Sequence, residues 1–210
     1  MDIEDCIKTR RSIRKYKDMP VDWDKVSRIL DAGKYAPSAG NIQNWKFIVA
    51  RKEEVRKKLA KASFDQEWMI DAPVHIVIVA EPQKAERFYG ARGERLYTIQ
   101  NCAAVIQNML LVATELGLGS CWVGAFDETK IKSALNLPEF AIPQAIITIG
   151  HKDEDPDMPP RVELENQVYM EKWWGKGVGP RSRGYTSVAI KSSRDDTKKA
   201  LKKIAKKLKK

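Results

Sequence analysis

Apolar residues recur along this chain with two different periods, and the alternation between them lays out its elements. Asp2 is placed to cap a short first helix, and Asp22 a second in which Val26, Ile29, Leu30 and Gly33 share one face. Lys46–Ala50 reads as a strand, followed by a charged helix from about Glu53 to Lys61. Val74–Ala80 is apolar at nearly every position, which predicts a strand buried on both faces. His75 within it reads as a hydrogen-bonded core residue rather than a ligand. The longest predicted helix runs from about Glu94 to Leu116, stopped by Gly117 and Gly119. Leu96, Ile99, Ala103, Ile106, Leu110 and Ala113 form one stripe on it, and Cys102, Val105, Met109, Val112 and Leu116 a second. A helix apolar on two sides must bury both, which points to a partner subunit over the second stripe; the alternative is complete enclosure within one chain. Cys121–Phe126 is then extended, Asp127 caps a helix through Leu135, and Ala145–Gly150 is a strand. Helices alternate with strands, so the class is α/β or α+β with a sheet packed on helices.

Beyond Gly150 the text changes. Lys152 to Pro160 is acidic and proline-rich, a surface loop, and Glu165 to Trp174 is aromatic and mixed. Gly175, Gly177 and Gly179 form a G-x-G-x-G that follows no predicted strand, so it reads as a connection and not as a dinucleotide fingerprint. From Ser193 a lysine-rich helix places Leu201, Ile204, Ala205 and Leu208 on one side. The expected organisation is a folded domain over 1–174, an irregular connection over 175–192 and a basic amphipathic tail over 193–210.

Charge changes the picture only when it is located. The net charge of the 210 residues is +10, but Lys191 to Lys210 alone carries ten Lys or Arg against two Asp, leaving +2 for the rest. The body therefore lacks the basic bias of a nucleic-acid groove. The tail has few apolar residues and no large aromatics, so it reads as solvated or docked rather than as a nucleic-acid or membrane anchor. Val74–Ala80 is too short to span a bilayer, and the acidic start Met-Asp-Ile-Glu-Asp is unlike an export signal, so the expected compartment is the cytoplasm. Three separated cysteines and two isolated histidines make no readable metal site. Among catalytic motifs there is no Ser-His-Asp order, no H-E-x-x-H and no P-loop.

Two segments have binding chemistry. Arg10-Arg11-Ser12-Ile13-Arg14 concentrates forked, permanently charged donors suited to phosphate. Ala36–Trp45 (A-P-S-A-G-N-I-Q-N-W) combines small residues that admit close backbone approach with amides that donate and accept, which suits a flat heteroaromatic ring. Each has a bland counterpart, a solvated face for the first and a self-bonded loop for the second.

Together with G-L-G-S-C-W-V-G at Gly117–Gly124 and P-R-V-E-L-E near Pro160, these segments resemble, in the right order, the nitroreductase family over residues 1 to about 170. The resemblance implies an α+β fold with a central, mostly antiparallel sheet flanked by helices, in an intertwined homodimer with FMN at the subunit interface. It puts Arg10, Ser12 and Arg14, with Arg11 nearby, on the FMN phosphate and ribityl chain, and Arg161 back at that phosphate. Pro37, Ser38, Asn41 and Gln43 would line the ring, and Trp122, Val123 and Gly124 would pass its reactive edge, a backbone N–H near Gly124 facing N5. The implied activity is ping-pong transfer from NADH or NADPH through FMN to a small aromatic acceptor such as a nitroaromatic, quinone or flavin, with no catalytic side chain. Reductive dehalogenation or another reaction on the same scaffold is the alternative within enzymes. A binding module working through the tail is the alternative outside them. Two positions depart from the family pattern: Asn44 where it usually has proline, and Asn101 where an acidic residue is expected. The segment Pro82–Arg95, with Arg87, Tyr89, Arg92 and Arg95, is either a lid meeting an anionic substrate or a solvated face.

Overall fold

The structure, a computed structural model, describes residues 1–175. The chain divides into two compact units, Met1–Pro156 and Asp157–Lys210. Apart from Gly175, the connection and tail expected over 175–210 lie outside the described residues. In the second unit the described chain makes a single-turn helix, Leu164–Asn166, and an aromatic cluster of Tyr169, Trp173 and Trp174 with ring centroids 5.0 to 5.6 Å apart.

The first unit is built on β1 (Trp45–Ala50), β2 (Val74–Ala80), β3 (Gly119–Val123) and β4 (Ile142–Gly150), all antiparallel, in the order β1-β2-β4-β3. This is an α+β fold with an antiparallel sheet flanked by helices. β2 lies inside and is buried at every residue, as its unbroken apolar run requires. Its alternate side chains serve two cores. Ile76 and Ile78 pack with Val26 and Ile29 of α2 (Trp23–Lys34) and with Val105, Ile106 and Met109 of α5 (Thr98–Glu115). Val77 and Val79 pack with Leu59 of α3 (Glu53–Ala62) and Ile131 of α6 (Glu128–Leu135). Each fully buried aliphatic side chain contributes about 2 kcal/mol. His75 is fully buried and its Nε2 donates to Met69 O at 2.7 Å, so burial holds the ring neutral, its pKa lowered to about 4.

Asp2 caps α1 (Ile3–Thr9), accepting from Asp5 N at 2.8 Å, and Asp127 caps α6, accepting from Lys130 N at 3.1 Å. Asp22 stands at the start of α2, but its side chain makes no cap bond. The helix expected from Glu94 begins twelve residues earlier: α4 (Pro82–Arg92) starts with Pro82 in the first turn, where a missing N–H costs nothing, and runs through a π turn, Gly93–Tyr97, into α5. Gly90, at φ 56 and ψ −149, breaks the helix in a conformation open to glycine. The run Pro82–Glu115 is long and apolar enough to cross a membrane, and burial of Cys102, Val105, Ile106 and Met109 against the sheet accounts for that apolarity. Those residues include most of the stripe expected to meet a partner subunit. It is covered instead by the chain's own sheet and α2, while Ile99 of the first stripe is the exposed one.

Candidate functional site

After α1 the basic segment runs along the free edge of β3. Ile13 N donates to Ser120 O at 3.0 Å, Lys17 N to His151 O at 2.9 Å, and Asp153 N to Lys15 O at 3.0 Å. Ile13 and Tyr16 turn inward, where the Tyr16 hydroxyl donates to Ile13 O at 2.6 Å and pairs with Thr148 Oγ1 at 2.8 Å. Burial pushes the Tyr16 phenol well above its usual range. The segment approaches so closely that a Cβ at Gly150 would lie 2.7 Å from the Tyr16 ring.

With the apolar residues taken inward, the polar ones face outward. Arg14 is exposed and its guanidinium lies 5.8 Å from the centre of the Trp68 ring. Arg11 Nη1 donates to Lys8 O at 2.7 Å and Arg10 O at 2.8 Å, yet its buried Nε has no protein partner. Glu154 Oε1 accepts from Arg14 N at 2.5 Å and Lys15 N at 3.2 Å, holding the segment from the loop after β4. Burial raises the Cys121 thiol against the pull of Arg14, a Ser12 hydrogen bond and Arg10. Burial also lifts Cys102 to about 12, so neither thiol is an available nucleophile.

The second segment precedes β1. Gly40, Asn41 and Gln43 all take positive φ, at 54, 56 and 50 degrees. Ser38 Oγ accepts from Gln43 N at 3.1 Å, and Gln43 Nε2 donates to Asn41 Oδ1 at 3.0 Å and Asn41 O at 3.2 Å. The loop is thus partly self-bonded, and Pro37, Asn41 and Gln43 remain exposed. Tyr89 of α4 covers it: a Cβ at Gly40 would stand 2.5 Å from the Tyr89 hydroxyl oxygen. Tyr89 in turn meets Tyr97 edge-on at 5.2 Å, and Arg92 Nε donates to the Tyr97 hydroxyl at 3.1 Å.

β3 ends in the third element. Trp122 is 41% exposed, Val123 is buried in the core with only its main chain available, and Gly124 is exposed. Gly124 lines a cavity of about 560 Å³ with Pro82, Glu94, Arg95, Thr98 and Pro143. The β2–β4 register shifts where Pro143 lies opposite Val79, at a residue with no N–H to give the ladder.

The structure therefore gathers Arg10, Arg11, Ser12 and Arg14 with Trp122, Val123 and Gly124 along one edge strand. Pro37, Ser38, Asn41 and Gln43 precede the opposite edge strand, across β2 and β4, at the end of the sheet level with Ile142, whereas Ser12 and Ser120 lie level with Ile149 at the other end. Arg161 is exposed in the second unit. Glu154 was not evident in the sequence as a contributor, and Tyr89 stood out only as part of the candidate lid, not as the cover of Gly40: each acts through a partner distant in the chain. Among the described residues no group of three His, Cys, Asp or Glu could hold a metal ion.

The described fold is thus an α+β sheet with a basic segment along one edge and an amide loop before the other edge strand. The profile of the nitroreductase family matches residues 7–67 and 63–151, and the chain belongs to that family of oxidoreductases. It is 34% identical over 177 residues to a putative NADH dehydrogenase/NAD(P)H nitroreductase of Methanothermobacter thermautotrophicus, covering 82% of this chain and 88% of that one. A crystal structure of a nitroreductase family protein from Clostridium difficile superposes with a TM-score of 0.72 at 32% identity, covering 82% of this chain and 100% of the other. An FMN-dependent nitroreductase from the same species gives 0.70 at 29% identity, covering 80% and 98%.

Proposed function

We propose that this oxidoreductase is an FMN-dependent NAD(P)H oxidoreductase that acts as a homodimer in the cytoplasm on small nitroaromatic, quinone or flavin-like acceptors. The observation that carries this reading is the placement of the phosphate segment and the amide loop on opposite edges of one sheet. A second copy can bring its loop to the first copy's phosphate segment, so one site is completed across the subunit interface. Exposed Tyr35, Ile99 and Trp122 supply apolar surface for such an interface.

The residues fit the cofactor. Arg11 Nε is a buried donor lacking an acceptor, as a phosphate site would leave it, and the outward cations beside it suit a dianion. A loop with three positive φ residues and two exposed amides suits close approach to a ring with carbonyl and nitrogen edges. When bound, FMN supplies hydride acceptance from NADH or NADPH and then two-electron reduction of a second substrate in the same place, a ping-pong exchange. Arg10, Arg11 and Arg14 would bind and neutralise the phosphate, and Ser12 would add a neutral hydrogen bond. Pro37, Ser38, Asn41 and Gln43 would hold the ring, and the main chain at Trp122, Val123 and Gly124 would line its reactive edge, with a backbone N–H near Gly124 available to N5. The cavity beside Gly124 gives a second substrate room.

The visible spectrum of the purified protein, before and after anaerobic NADH or NADPH, tests this. A flavin spectrum that bleaches with one nucleotide supports the reading and names the donor. A colourless protein that also refuses added FMN overturns it. A sedimenting monomer that still holds FMN overturns the shared site.

A further inference from the structure

Beneath the amide loop lies a chain of buried side-chain hydrogen bonds. Asn101 Oδ1 on α5 accepts from Ala39 N at 3.0 Å, and Asn101 Nδ2 donates to Asn44 Oδ1 at 2.8 Å. Asn44 Nδ2 donates to Thr98 Oγ1 at 2.9 Å and to Glu81 O at 3.4 Å, and Thr98 Oγ1 donates to Gly93 O at 2.9 Å. Asn44, Asn101 and Thr98 are 0%, 4% and 1% exposed. The buried polar atoms without partners, among the described residues, are elsewhere.

Packing alone does not call for this arrangement, since apolar side chains would fill the same space without needing partners. What the network adds is direction, because a fully satisfied buried network permits one geometry of its ends. One end holds the amide of Ala39, the first residue of the single-turn helix Ala39–Asn41. The other holds the carbonyl of Gly93, the first residue of the π turn, whose Glu94 and Arg95 line the cavity beside Gly124. Gln43 adopts a left-handed backbone conformation that such a residue holds only when its surroundings fix it, and Asn41 shares that conformation at lower cost. The bonds of Ser38, Asn41 and Gln43 close within the loop itself, and it is Asn101 that ties the loop to the body of the protein.

We propose that Asn44, Asn101 and Thr98 are positioning residues: the Asn101–Asn44–Thr98 chain sets the loop that meets the flavin and links it to the π turn on the cavity wall. The role toward flavin rests on the function proposed above, whereas the anchoring of the loop does not.

The test uses the full-length chain with and without FMN. Amide hydrogen exchange of the flavin-free protein reports residues 39–43, and quenching of FMN fluorescence reports affinity. Asn101→Leu is expected to speed exchange of residues 39–43 about tenfold and to weaken FMN about tenfold, the scale of one lost hydrogen bond. Ile131→Val, in the core on the other face of the sheet, is expected to lower thermal stability and leave both readings unchanged. Thr98→Val, milder and close in shape, gives about threefold in the same direction should the leucine variant not fold. Unchanged exchange in both network variants overturns the anchoring. Faster exchange with unchanged FMN affinity overturns the link to the cofactor and leaves the network a purely structural device. A wild-type chain that binds no FMN overturns the flavin reading, and exchange still decides whether the network anchors the loop.

Discussion

The two binding segments are held in place by different means. Residues 12–17 are fastened to the β3 edge and the strand end beyond it through main-chain bonds, such as Ile13 N to Ser120 O, so their outward side chains are released for binding. Residues 38–43 are held through side chains, chiefly Asn101 reaching Ala39 N and Ser38 reaching Gln43 N. Main-chain pairing is indifferent to which residues take part, whereas a side-chain network fails at any member. Mutations that matter to the first segment are therefore those that disturb its approach to the sheet, and loss of the Glu154 carboxylate that accepts from Arg14 N and Lys15 N. For the second segment they include residues far away in the chain.

The largest expected effect falls on both segments together through β2, the strand between them. Burial keeps His75 neutral with its pKa near 4, below the usual 6.5, so as pH falls the unfolded chain takes up the proton first. The His75 contribution to stability is expected to be level above pH 7 and to fall by about 3 kcal/mol between pH 6.5 and 4. Urea midpoints across that range measure it, and His75→Gln should remove this part of the slope. If the slope survives the substitution, the loss belongs to other groups.

Gly150→Ala should separate the segments. Its Cβ would meet the Tyr16 ring at 2.7 Å and Pro73 at 2.8 Å, so about 2.5 kcal/mol of stability is expected to go. Hydrogen exchange should quicken at residues 13–17 and stay unchanged at 39–43. Gly40→Ala gives the converse at lower cost, about 1.5 kcal/mol, because a Cβ there meets Tyr89 and the position needs φ +54. Exchange should then quicken at 39–43 alone. The smallest stability change is expected from Arg14→Ala, within about 0.5 kcal/mol, since the segment is held by its backbone. Under the flavin reading the same variant loses about tenfold in FMN affinity, measured by titration. An unfolding effect larger than that of Gly40→Ala would reverse the contrast drawn between the segments.

Several of these features were legible along the chain. Seven positions apolar at all but His75 announced β2 as buried on both faces, and the same run marked His75 as a core residue. The arginines stood out because four bases fall close together. Asn44 and Asn101 could be noticed only as departures from a family pattern, and nothing in the text showed that they touch. They lie 57 positions apart, and polar residues by themselves read as surface. The two stripes of α5 were visible too, but periodicity cannot say which stripe faces the chain's own sheet. Here Cys102, Val105 and Met109 do, together with Ile106, Leu110 and Ala113 of the other stripe.

The sequence by itself determined the strands and most of the helices, the caps at Asp2 and Asp127, and the chemistry available at each binding segment, because these depend on neighbours within a few residues. Only the tertiary structure decided that the two segments lie on opposite edges of one sheet. It alone joined Asn101 to Asn44 under the loop, and brought Tyr89 over Gly40. Strand order and long-range side-chain pairing arise from packing the whole core at once, and local periodicity carries no record of that step.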